Sequence, residues 1–418
     1  MTNLPQGWEW KSLGEIFNIE RGGSPRPIKE FLTDKEDGIN WIKIGDIKNQ
    51  KYLYKTEEKI IQEGLKKSKL VIEGDLLVSN SMSFGKPVIV KLQKGAIHDG
   101  WLLLKEKINL NKEYFYYLFS SNFMYNFLSY QASGSTVKNL NIDKLKQIEI
   151  PLPPLKEQER IVGILDESFA KIDESIKILE QDLPNLDELM QSALQKAFNP
   201  LKDNAKENYK LPQGWKMETL GEILSSNKYS IKRGPFGSSL KKSFFVEKGI
   251  RIFEQYNPIN NDPHWKRYFI SHEKFKELEA FKATEGDLLI SCSGTLGKIV
   301  ELPKDTEMGI INQALLKIRL NNIKILNSYF IYYFNSPIMQ EKILESTLGS
   351  AIKNIASVKI LKQIEIPLPP LKEQEQIASH LDELSSHIKN LKQNYQAQIK
   401  DLQELKNSLL DKAFKGNL

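Results

Sequence analysis

The sequence predicts a mixed α/β (α+β) chain of two tandem, pseudo-symmetric domains separated by two long antiparallel coiled-coil helices. Three observations carry this prediction: an internal repeat that fills the chain, short punctuated β-rich runs in each copy, and an apolar period near 3.5 that closes each copy.

The repeat comes first because it sets the architecture. Leu4-Pro5-Gln6-Gly7-Trp8 recurs as Leu211-Pro212-Gln213-Gly214-Trp215. The stretch from Lys146 to Glu159, KQIEIPLPPLKEQE, recurs intact from Lys362 to Glu375. Gly74-Asp75-Leu76-Leu77 and Gly85-Lys86 return as Gly286-Asp287-Leu288-Leu289 and Gly297-Lys298. Lys196-Ala197-Phe198 returns as Lys412-Ala413-Phe414. A period of about 210 residues is far longer than the 20–50 of solenoid repeats. The copies agree at their ends and differ inside, over 17–73 and 224–285. One scaffold therefore presents two different surfaces.

Strands are expected at Ile39–Ile47, Leu76–Ser79, Val88–Leu92 and Trp101–Leu104, and in the second copy at Ile250–Phe253, Leu288–Ser291, Ile299–Leu302 and Ala314–Leu320. One helical patch follows in each copy, Lys112–Tyr130 and Ser328–Leu348, whose aromatics read as packing groups. After the paired prolines, apolar residues step by 3 and 4 from Ile161 to Ala197 and from Ile377 to Leu409. The paired prolines cannot sit inside a helix, so they mark its start. Each helix spans about 40 residues, roughly 60 Å at 1.5 Å per residue. Pro184 stands inside the first helix and predicts a kink or short break near Asp182-Leu183. Each helix must bury its seam, and the other helix, running antiparallel, is the nearest partner. The C-terminus then returns to the N-terminal domain. The boundaries are 1–150 for domain one, 151–200 for the first helix, 201–366 for the linker and domain two, and 367–418 for the second helix.

Composition narrows the function. Apolar residues are 40%, charged residues 27%, and no apolar run approaches a membrane span. The opening residues lack the basic-then-apolar order of a signal peptide. One cysteine and five histidines argue against a disulfide framework or a thiolate or histidine metal centre. The chain reads as intracellular and metal-poor. The net charge of +6 is uneven. Residues 1–150 hold 22 basic against 18 acidic groups, and 211–366 hold 22 against 16. The first helix with its linker is acidic. Two basic domains in inverted orientation suit a duplex polyanion, whose backbone is itself two-fold symmetric.

Together, the Leu-Pro-Gln-Gly-Trp openings, Gly234-Pro235-Phe236-Gly237-Ser238 and the doubled Pro-Leu-Pro-Pro-Leu-Lys-Glu-Gln segment before a long helix resemble the specificity (S) subunit of type I restriction-modification systems. The resemblance covers the full chain. It implies that each domain is a target recognition domain reading one half of an asymmetric bipartite DNA site, and that the helices set the unread gap. It implies a non-catalytic DNA-binding chain acting in DNA methylation and in defence against foreign DNA. Its partners would be double-stranded DNA, two modification (methyltransferase) subunits and restriction (translocase/nuclease) subunits. S-adenosylmethionine, ATP and magnesium would serve those partners, with no cofactor in this chain. The compartment would be the prokaryotic cytoplasm. Two alternatives stay open on the residues alone: a specificity unit of a related DNA-defence system, and a coiled-coil protein-interaction scaffold.

The motif survey agrees with a chain lacking catalysis. No Asn/Asp-Pro-Pro-aromatic loop is present, and Gly85-Lys86 and Gly297-Lys298 lack the rest of a phosphate-binding loop. Cys292 reads as a buried small residue. Candidate DNA contacts are Arg21, Gly22, Gly23 and Ser24, matched by Lys232 and Arg233 before Gly234, because glycines admit close backbone approach and arginine forks onto guanine. Polar loops add Ser79, Asn80 and Ser81 with Lys86, and Ser291, Ser293 and Thr295 with Lys298. Lys66, Lys67, Lys241 and Lys242 suit phosphates. Lys138 and Lys353 recur in both copies. Arg26, Lys43, Phe236, Ser238 and Tyr256 complete the set. No metal ligand and no catalytic residue is expected.

Overall fold

The matching ends of each repeat meet in space, which explains why they match. In a computed structural model describing residues 4–48, 50–80, 85–132, 142–198, 211–344 and 355–418, the opening Leu-Pro-Gln-Gly-Trp forms a turn: Trp8 N donates to Pro5 O (3.1 Å) and Trp215 N to Pro212 O (3.0 Å). The strand that follows pairs antiparallel with the closing Glu-Ile-Pro-Leu segment. Glu9–Ser12 pairs with Glu149–Leu152, and Lys216–Thr219 with Glu365–Leu368. Each domain is thus closed by a two-stranded clasp made from its own ends.

The chain divides into two compact units. Unit one is Met1–Glu180 with Gln396–Leu418, and unit two is Gln181–Tyr395. Each unit takes in part of both long helices, whereas the sequence boundaries set helices and domains apart.

In unit one, a five-stranded sheet runs in the order Phe17–Arg21, Trp101–Glu106, Leu76–Ser79, Pro87–Val90, Tyr52–Leu53. A four-stranded sheet runs Glu58–Ile60, Ile39–Ile42, Lys94–Ile97, Lys69–Ile72. All four residues of Leu76–Ser79 are buried. Leu76 and Val78 face a core shared with the helices, while Leu77 packs with Ile42, Val71 and Trp101 of the other core. A strand with both faces covered reads as a continuous apolar run, as this one does. Unit two repeats the plan. Ile231–Arg233, Leu315–Ile318, Leu288–Ser291 and Ile299–Glu301 form one sheet. Phe245–Val246, Phe269–Ile270, Ile250–Phe253, Gly309–Ile311 and Lys282–Ala283 form the other.

Several expectations change in detail. The strand expected over Ile39–Ile47 stops at Ile42, because Asp46 Oδ2 accepts from Lys43 N (2.7 Å) and holds a 3₁₀ turn at Ile44–Asp46. Each helical patch is two helices: Lys112–Ser120 and Asn122–Ala132, then Asn327–Phe334 and Pro337–Leu344. A buried serine makes the break both times. Ser121 Oγ donates to Leu118 O (2.6 Å) and accepts from Met124 N (3.2 Å). Ser336 does the same with Tyr333 O and Met339 N. Side-chain bonding of this kind competes with the helical ladder.

The long helices run Leu155–Phe198 and Leu371–Phe414. Of the kink or short break expected near Asp182-Leu183, the break does not occur: the helix continues through Pro184. Pro184 is exposed, so water can satisfy the carbonyl its ring leaves unbonded. Within unit one the helices lie antiparallel: Arg160 Nη2 donates to Leu418 O (2.8 Å) and Lys406 Nζ to Asp173 Oδ1 (2.6 Å). Within unit two, Lys392 pairs with Asp187. Two residues of the expected seam, Leu391 and Leu405, are instead 40% and 46% exposed. A strict 3–4 step drifts off the face of a 3.6-residue helix. The C-terminus does return to the start of the chain, with Gly416 against Pro5.

Candidate nucleic-acid interface

Beside each two-layer core, one tight turn gathers the candidate residues. In unit one it is His98-Asp99-Gly100, between strands Lys94–Ile97 and Trp101–Glu106. His98 Nδ1 accepts from Gly100 N (2.6 Å) and closes the turn. The segment after the first sheet strand lies directly on it. Gly22 N donates to Trp101 O (2.9 Å) and Gly23 N to Ile97 O (3.1 Å). A Cβ on Gly22 would stand 2.2 Å from His98 O, so only glycine fits.

This contact places the side chains that follow. Arg21 Nε donates to Asp99 O (3.0 Å), Ser24 Oγ donates to Asp99 Oδ1 (2.8 Å), and Arg26 lies 3.5 Å from Asp99 Oδ2. Lys67 O abuts Gly23, and Ser68 Oγ donates to Ile97 O (2.7 Å), bringing the Lys66-Lys67 turn alongside. Asn80 N donates to Gly100 O (2.7 Å), bringing in the Ser79-Asn80 hairpin that ends at exposed Lys86. A cleft of about 1060 Å³ opens here. Pro25, Pro27, Ile28, Trp41 and Ile44 line its apolar side. Its polar side is Ser24, Arg26, Lys43, Glu58, His98 and Asp99, with Lys43 paired to Glu58 at 3.1 Å. Burial holds the His98 imidazole below its usual pKa, against the opposing pull of Asp99 and Asp46. Burial pushes the Asp99 carboxyl up, but the Ser24 hydroxyl, His98 and Arg26 outweigh it and hold the group low.

Unit two builds the same turn from different residues. Asn312 Oδ1 accepts from Ala314 N (3.0 Å), as His98 does from Gly100. Gly234 N donates to Leu315 O (2.9 Å), and a Cβ there would stand 1.8 Å from Asn312 O. Cys292 N donates to Ala314 O (2.7 Å), matching Asn80. Gln313 therefore stands where Asp99 does, and Phe236 and Ser238 where Ser24 and Arg26 do. Asn312 N donates to Phe253 O (3.0 Å) and His98 N to Ile42 O (3.4 Å), which sets Glu254 at the place of Lys43. Burial raises the Glu254 carboxyl pKa, opposed by Arg267.

The remaining candidates differ in exposure and in what they touch. Phe236 is 88% exposed. Lys232 Nζ lies 5.2 Å from both the Tyr229 and Phe281 rings, and Arg233 follows it on the strand. Ser291 is buried, its hydroxyl accepting from Lys298 N (3.0 Å), so its side chain braces the hairpin. Ser79 is likewise buried and accepts from Lys86 N (2.9 Å). Ser293, Thr295 and Lys298 lie beyond on the hairpin, half-buried to exposed. Ser238, Lys241 and Lys242 are exposed. Tyr256 stacks on Trp265 (4.3 Å, 26°). Ser81, Lys138 and Lys353 lie outside the described residues. Cys292 is fully buried, its thiol pushed up to about 12 by desolvation, as a packing residue would be.

Sequence reading left out His98, Asp99, Glu58, Glu254, Asn312 and Gln313. A search for cations near glycines passes over acidic and amide residues. The available signal was positional: His98-Asp99-Gly100 and Asn312-Gln313-Ala314 precede equivalent strands. Among the described residues, no group of three or more His, Cys, Asp or Glu could hold a metal ion, and no helix is long and apolar enough to cross a membrane.

Residues 5–183 and 212–401 match the family described as type I restriction modification DNA specificity domain. A putative type I restriction enzyme MjaX specificity subunit of Methanocaldococcus jannaschii is 26% identical, over 92% of this chain and 88% of that protein. The crystal structure of an HsdS subunit from Thermoanaerobacter tengcongensis superposes with a TM-score of 0.64 at 24% identity, covering 100% of this chain and 98% of that one. A chain from a structure on complex assembly in the type I R-M system gives 0.75 at 23% identity, with full coverage of both. Both share the fold.

Proposed function

This chain belongs to the family of type I restriction-modification DNA specificity domains, and from that membership we propose how its two units divide the work. It is a non-catalytic specificity subunit of a type I restriction-modification enzyme. The unit built on the His98-Asp99-Gly100 turn reads one half of a bipartite DNA site, and the unit built on Asn312-Gln313-Ala314 reads the other. The long helices fix the gap between the halves and dock two methyltransferase subunits, with restriction subunits joining the full assembly. S-adenosylmethionine, ATP and magnesium act in those partners. The work is done in the prokaryotic cytoplasm.

One observation carries this reading. The two copies keep the frame and exchange the side chains mounted on it: Asp99 for Gln313, Arg26 for Ser238, Lys43 for Glu254. A frame shared for binding alone would have no reason to differ there. The site is therefore asymmetric. The candidate contacts Arg21, Ser24, Arg26, Lys43, Lys66 and Lys67 serve the first half, and Lys232, Arg233, Phe236, Ser238, Lys241 and Lys242 the second. Sequencing of methylated bases in the host, with and without this gene, tests the proposal. We expect a bipartite methylated-adenine motif that vanishes on deletion. A motif that persists, or a deletion that changes no methylation, overturns it.

A further inference from the structure

Basic residues at a DNA-binding face serve two chemistries. Phosphates take uncompensated cations, and base edges take matched donors and acceptors. The charges of unit one separate along that line. Arg26 and Lys43 are each paired with a carboxylate, Asp99 at 3.5 Å and Glu58 at 3.1 Å, and all four line one cleft. Lys66 and Lys86 flank the same turn, are exposed, and pair with no carboxylate among the described residues.

Asp99 decides the assignment. A carboxylate facing DNA is repelled by phosphate and needs a hydrogen-bond donor on the DNA. In the major groove the base-edge donors are the amino groups of cytosine N4 and adenine N6. Asp99 is also held in place. Its Oδ1 accepts from Ser24, its backbone N donates back to Ser24 Oγ (3.3 Å), and its carbonyl accepts from Arg21. The turn beneath it is closed by His98 and pressed against Gly22. Its side chain nevertheless remains 48% exposed, with lone pairs free to accept.

We propose that Asp99 reads the exocyclic amino group of one base in the first half-site, while Lys66 and Lys86 hold the phosphates that set its register. Arg26, beside Asp99, addresses the acceptor edge of an adjoining base. In unit two the exposed amide of Gln313 occupies the same place and both donates and accepts. The second half-site therefore differs at the corresponding position. This inference rests on the function proposed above.

The test uses the full chain assembled with its methyltransferase partner and a library of duplexes randomised across the bipartite site. Wild type should select one bipartite sequence. Asp99→Ala should relax one position of one half-site, a position occupied by cytosine or adenine on one strand, by about 5- to 150-fold. Its binding to a scrambled duplex should hold or tighten, with an unchanged salt slope. Lys66→Ala should weaken all sequences alike and lower the salt slope by about one, with no change in the selected sequence. The second half-site is the internal control. If Asp99→Ala loses both halves, the variant is misfolded, and the isosteric Asp99→Asn decides by a smaller loss confined to the same position. Unchanged preference at every position, or a uniform loss like that of Lys66→Ala, overturns the inference. A wild-type complex that selects no bipartite sequence overturns the proposed function instead.

Discussion

Gln158 and Gln374 show how a single residue justifies its place in the repeated motif. Both are almost wholly buried just inside their helices. Gln158 accepts from Asn111 N (2.9 Å) and donates to Pro153 O (2.9 Å). Gln374 accepts from Leu326 N and donates to Lys324 O and Pro369 O. Each amide joins the helix start to the loop entering the aromatic helices. Gln158→Ala leaves a donor and an acceptor buried without partners, at a cost of roughly 1–3 kcal/mol, to be read by chemical unfolding. His98 makes a second residue-scale prediction. Its folded pKa lies below the roughly 6.5 of an unfolded histidine. Above about 6.5 neither state takes the proton, and the stability is fully present. As pH falls through about 6.5 and then through the lowered folded value, the unfolded chain binds the proton first and stability is lost. Asp99 and Asp46 oppose the shift and Lys43 adds to it, but burial dominates. His98→Asn copies the Asn312 acceptor of unit two and cannot titrate. It should flatten the thermal unfolding midpoint between pH 7 and 5 relative to wild type.

The long helices act at the scale of elements, and their ends matter most. Phe414 closes the second helix inside the core of unit one, edge-on to Tyr114 at 5.3 Å. Phe198 closes the first inside the core of unit two, against Tyr329 (5.3 Å) and Tyr333 (5.5 Å). This gives the repeated Lys-Ala-Phe its physical meaning, since each phenylalanine plugs a domain core. Phe414→Ala should cost about 3–5 kcal/mol, with the loss concentrated in unit one when followed by hydrogen exchange. The tyrosines beside these plugs bond the clasp strands: Tyr114 to Pro151 O (3.3 Å) and Tyr329 to Pro367 O (2.7 Å). Helix end, aromatic helix and clasp therefore form one packed element in each unit.

For the whole molecule, the small excess of positive charge acquires a location and a division of labour. Binding that releases counterions should weaken by about 10³-fold between 50 and 200 mM salt if some six phosphates are neutralised. Arg21→Ala should impair one half-site only. Its guanidinium is anchored on the Asp99 carbonyl in unit one, while Arg233 occupies the matching place in unit two. Competition binding with duplexes altered in either half measures this, and equal loss at both halves would contradict independent reading.

The amino-acid sequence alone determined the duplication, the paired long helices with their antiparallel sense, the basic domains and the family. All of these depend on period, identity and charge, which are properties of order along the chain. It also marked Arg21 to Ser24 and Lys232 to Gly234, because glycine beside a cation is a local signal. Only tertiary structure decided that His98-Asp99-Gly100 lies beneath Gly22, that Ser79 and Ser291 brace their hairpins from inside, and that Pro184 leaves its helix unbroken. These facts turn on which groups approach across tens of residues and on which side faces water. A turn of His, Asp and Gly looks like any other until the backbone of Gly22 is pressed against it.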